Sequence, residues 1–88
     1  MATEQQVQIA AKMYETRDAM KRLRGDKWTA DFRELSGFIR RAMEQWGIGE
    51  LSASLRLCQT KELEHEPLTH MMLVAAAVEM VEPSEAGD

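Results

Sequence analysis

The chain has 88 residues, a formal charge of −4, one cysteine and seven methionines. That length holds one small domain, and a lone Cys58 excludes an intramolecular disulfide, so packing or self-association must supply the stability. The start, MATEQQVQ, shows neither a basic segment nor an apolar one, and no apolar run approaches the roughly 20 residues of a membrane span. A soluble, cytoplasmic setting is expected. With two prolines, few β-branched residues and abundant Ala, Met, Leu, Glu, Lys, Arg and Gln, the composition favours helix throughout. The expected fold is all-α: a small helical bundle of three long helices and one short helix, forming a dimer. Residues 1–82 make the single helical domain, and 83–88 form a polar tail expected to be disordered.

Thr3 with Gln6 has the form of a capping box and predicts a helix running to about Arg24, ended by Gly25 in the left-handed conformation. Ile9, Met13, Thr16, Met20 and Leu23 alternate in steps of four and three, the spacing of a narrow coiled-coil-like seam. Val7, Ala10 and Tyr14 form a weaker apolar patch elsewhere on the same helix. Gly25 to Trp28 reads as a tight connection, with Asp26 or Thr29 as the next N-cap. A second helix then spans about Ala30 to Trp46, burying Phe32, Leu35, Ile39, Ala42, Met43 and Trp46, with Phe38 widening that face. Gly47 is placed as its C-terminal glycine, with Ile48 packing back.

From Gly49 to Glu66 the pattern is ambiguous. Leu51, Leu55 and Cys58 have helical spacing, whereas Leu51, Ala53, Leu55 and Leu57 alternate as in a strand. A lone strand would have no partner, so a short helix over Glu50–Leu57 is preferred, with Thr60 capping a further turn through Leu63. Pro67 sits at a first helical position after Glu66. Leu68 to Val81, LTHMMLVAAAVEMV, is apolar nearly all round yet only fourteen residues long. Such a helix must be wrapped by the rest of the chain or by a second copy.

The charge is uneven. Residues 1–49 carry nine Lys/Arg against seven Asp/Glu, and residues 50–88 carry two against eight. Arg17, Lys21 and Arg24 share a side of the first helix, and with Arg40 and Arg41 they are candidate phosphate contacts. Interspersed Glu15, Asp18, Asp26 and Asp31 keep the surplus small, and a solvated face laced with ion pairs is the simpler account. A helix-turn-helix over Ile48–Met72 would put the acidic, proline-broken Lys61–Pro67 against phosphates, which repel it. Cys58, His65 and His70 with Glu62, Glu64 and Glu66 match no zinc spacing. Ser52, Ser54 and Cys58 have no base and orienting group arranged beside them, and no glycine-rich phosphate loop exists. No enzyme activity, metal or cofactor is expected.

What remains is a protein-interaction module: an adaptor, regulator or inhibitor that binds another protein, itself or both, of a kind suited to an accessory role in a bacterium or phage. Its candidate interface residues are Met71, Val74 and Val78 on the apolar helix, with Trp28 and Trp46 as aromatic anchors. The alternative is a nucleic-acid-binding dimer that doubles the weak basic patch across a two-fold axis.

Overall fold

The computed structural model describes residues 3–83. These residues form α1 (Glu4–Arg24), a 3-10 turn (Gly25–Lys27), α2 (Trp28–Trp46), α3 (Glu50–Cys58) and α4 (Pro67–Val81). Among the described residues there is no strand, and the fold is all-α. No helix among the described residues is long and apolar enough to cross a membrane. The tail expected after Pro83 lies outside the described residues.

Local chemistry accounts for most boundaries. The capping box at α1 is complete: the Gln6 N–H donates to Thr3 Oγ1 at 3.1 Å, and the Thr3 N–H donates to Gln6 Oε1 at 2.9 Å. Gly47, at φ 64° and ψ 39°, closes α2 in the left-handed conformation, its N–H reaching the Met43 carbonyl at 2.8 Å. Pro67 opens α4 at a position whose N–H has no helical acceptor.

Three expectations need correction. Gly25 has a positive φ of 53° but a ψ of −123°, so it bends the chain without a left-handed cap. The 3-10 turn then carries the chain straight into α2, which starts at Trp28 rather than Ala30 and uses neither Asp26 nor Thr29 as a cap. The Trp28 N–H is satisfied by the Gly25 carbonyl, so no side-chain cap is required there. The turn expected from Thr60 through Leu63 forms, but through the backbone: the Leu63 N–H reaches the Thr60 carbonyl at 3.1 Å, while the Thr60 hydroxyl donates back to the Leu57 carbonyl at 2.8 Å. The strand alternative for 50–58 is resolved as helix α3.

α4 is the centre of the architecture. It packs against α1, α2 and α3, whereas no Cα of α1 lies within 8 Å of one in α3. α1 runs antiparallel to it: Tyr14 meets Glu82, Lys21 meets Glu79, and Met20 packs with Ala75 near the Trp28 corner. α3 is antiparallel too, since Leu51 lies near Val78 and Val81 while Cys58 lies beside His70. α2 covers the far side, where Ile39 and Ala42 pack with Ala53, Leu73, Ala76 and Ala77. The apolar-all-round pattern of α4 thus reflects burial on several sides, with Ala75, Ala76 and Ala77 fully buried.

Candidate functional site

α4 lies between α1 and α3, which do not contact one another, in a layer with α2 packed on one side; on the opposite side Val78 meets only the edges of α1 and α3. At 100° per residue, Met71, Val74, Val78 and Val81 fall within an arc of about 80° on α4, turned away from the Leu73–Ala76–Met80 side that meets α2. On α1, Ile9, Thr16 and Leu23 fall within about 40° on the flank beside that arc, and Leu55 flanks it from α3. Exposure follows this geometry: Leu23 is 64%, Ile9 54%, Val81 52%, Leu55 48% and Met71 42% exposed. Five of the nine exposed large hydrophobic residues therefore share the uncovered face. Lys12 is the charged side chain on the same flank of α1, and Glu82 lies beside Val78 and Val81 at one end of the face, so the face is largely apolar with one charge of each sign at its edge.

The five interface candidates do not form one surface. Met71 and Val74 lie on the open face, and Val78 is buried beneath it at the floor of a small notch with Met13, Tyr14 and Leu51. Trp28 is buried at the α1–α2 corner, stacked on Phe32 with ring centroids 6.0 Å apart. Trp46, partly buried at the other end of α2, lies under the Arg56 guanidinium at 4.4 Å. Both tryptophans cover the chain's own core. The seam read on α1 splits in the same way: Met20 is buried and Met13 half-buried, whereas Ile9 and Leu23 stand on the open face.

Most of the candidate phosphate contacts are occupied within the chain. Arg17 donates to Asp18 at 3.1 Å and to the Glu82 carbonyl at 2.7 Å. Lys21 pairs with Glu79 at 3.2 Å, and Arg24 grips Asp31 at 2.5 and 3.3 Å. Arg41 lies over the Phe38 ring at 4.9 Å. Arg40 lines a cleft of about 570 Å³ whose walls include Trp28, Phe32, Lys21, Glu50 and Glu79. Two acids and two bases leave that cleft electrically balanced.

A second concave surface was not legible in the sequence. Leu35 and Phe38 of α2, Leu57 at the end of α3, Leu63 in the connection and Leu73 of α4 line a groove of about 430 Å³. Its wall is fixed by His70, whose ring Nε2–H donates to the Leu63 carbonyl, and by the Thr60 hydroxyl. Glu34 and Glu62 also line it. The available signal was Leu63, an isolated apolar residue in the otherwise polar 59–66 stretch.

Cys58 is partly buried, with its Sγ 4.0 Å from the His70 carbonyl, and burial pushes its thiol above the usual range. Among the described residues no three His, Cys, Asp or Glu side chains are grouped to hold a metal ion. No known protein family, curated protein or solved structure matches this chain.

Proposed function

We propose that the chain is a small protein-interaction module that self-associates through the open face of the α1–α4–α3 layer. The observation that carries this reading is the concentration of Ile9, Leu23, Leu55, Met71 and Val81 on one side of the molecule, with Val74 at its centre. Large contiguous apolar surface is unusual on a monomer and marks an interaction site. A second copy is the occupant the chemistry favours. Its edge carries one charge of each sign, Lys12 and Glu82, so it selects no strongly charged partner, and an apolar face meeting its own duplicate across a two-fold axis gives a closed contact. The basic-face alternative has less to work with, because Arg17, Lys21 and Arg24 already hold carboxylates or carbonyls in the chain.

The test is light scattering on a sizing column over a wide concentration range, at low and high salt, for the wild type, Leu55→Glu and Val74→Glu. The reading expects a salt-insensitive wild-type dimer, and Leu55→Glu as a monomer with unchanged helical circular dichroism. A wild type that stays monomeric at every concentration removes self-association. A Leu55→Glu variant that remains a dimer moves the contact to another surface. Because Leu55 is half exposed, its substitution separates interface loss from unfolding more cleanly than Val74→Glu does.

A further inference from the structure

We infer that the groove between α2, the α3–α4 connection and α4 is a second docking site, for a basic amphipathic helix of another protein. It lies on the α2 side of the molecule, away from the open face, and does not depend on self-association. Its floor is apolar: Leu73 is almost fully buried, and Leu35, Leu57 and Leu63 close around it. Phe38, at the lip, is 46% exposed even with the Arg41 guanidinium over its ring, leaving aromatic surface that a partner's side chain would cover.

The charges around the groove select the occupant. Glu34 on α2 and Glu62 on the connection both line it, and the connection adds, outside the lining, exposed Glu66 and exposed Glu64, which lies 3.4 Å from His65. The positive groups nearby are Lys61 and Arg41, and Arg41 is stacked on Phe38. Carboxylates therefore predominate on the rim of an apolar trough, the complement of a helix with Leu-type anchors along one stripe and Lys or Arg on its flanks. An acidic segment would be repelled, and a purely apolar one would leave the rim carboxylates without counter-charges. The wall is preorganised: His70 and Thr60 tie the connection to Leu63 and Leu57, which lowers the ordering cost of binding.

The probe is a labelled Leu/Lys amphipathic peptide of about 18 residues, long enough to form helix on binding, with a Leu/Glu peptide of the same pattern as its counterpart. Fluorescence anisotropy is read at two salt concentrations for the wild type, Glu34→Lys/Glu62→Lys, and a remote pair with the same charge change, Glu15→Lys/Glu44→Lys. The expected result is saturable binding of the Leu/Lys peptide that the groove pair weakens by about tenfold and the remote pair by about twofold. Phe38→Ala should weaken it as well, without loss of helical signal. Equal loss in both charge pairs, or equal binding of the Leu/Glu peptide, overturns the inference. So does retention of binding by the groove variants together with its loss in Leu55→Glu, since the peptide would then be reading the open face.

Discussion

Lys21 Nζ lies 3.2 Å from Glu79 Oε2, and Glu79 is the one charged residue among the buried residues described. The pair joins the C-terminal half of α1 to the C-terminal half of α4 and forms part of the wall of the Trp28–Phe32 cleft. Its side chains are 24% and 10% exposed, so water screens it only in part.

The consequence for stability is asymmetric. Lys21→Met leaves a buried carboxylate without its ammonium, at a cost of about 1–3 kcal/mol. The double variant Lys21→Met/Glu79→Leu should recover most of that loss, because it removes the stranded charge along with its partner. Urea denaturation of the two variants measures the difference. A single variant as stable as the wild type would show that the pair behaves like an exposed one.

Ala75, Ala76 and Ala77 are all 0% exposed and let α4 lie close to its neighbours. Ala76 belongs to the cluster formed with Ile39, Ala42 and Leu73, so added volume there has nowhere to go. Ala76→Leu is expected to destabilise by about 1–3 kcal/mol or more through forced repacking. Leu68→Ala, on an exposed turn of the same helix, should cost well under that. Thermal melts of the two variants give the comparison, and equal melting temperatures would contradict close packing at Ala76.

Tyr14 is the only tyrosine, so its ionisation can be followed directly by absorbance. Its hydroxyl donates to the Glu82 carboxylate, which raises its pKa above 10, with a smaller contribution from partial desolvation. A raised pKa means that the hydrogen bond's contribution is complete below the unfolded value. It is lost as pH climbs through the folded one. Titration should give a midpoint above 10 in the wild type and a lower one in Glu82→Gln. Coincident midpoints would show that the pair does not persist in solution.

How far the sequence could be read depended on the distance over which each signal acts. The Thr3–Gln6 box, Gly47 and Pro67 act within one turn and were legible. The excess apolar surface of α4 was legible as an excess, and Met71 and Val74 do stand on the open side. The seam on α1 was read as one surface because a stripe in steps of three and four looks continuous. On a straight helix with 3.6 residues per turn it is wide enough to put Met20 in the core and Leu23 in solvent. The pairing within the basic patch was hidden for another reason. The groups that occupy Arg17 and Lys21 are Glu82 and Glu79, brought in from the other end of the sequence. The groove was invisible because its lining comes from α2, α3, the connection and α4.

The order of the helices has a consequence for how the molecule comes into being. Synthesis runs from the N-terminus, and α4, against which the other three helices pack, follows all of them. Before Pro67 and the residues after it have emerged, α2 and α3 can already pair, Ile39 and Ala42 packing with Ala53, but the sides of α1, α2 and α3 that meet α4 have no partner. The nascent chain therefore cannot complete its core until α4 has been made. The apolar stripes that face α4 stay open to chaperones, or to a neighbouring nascent copy, until that helix is in place.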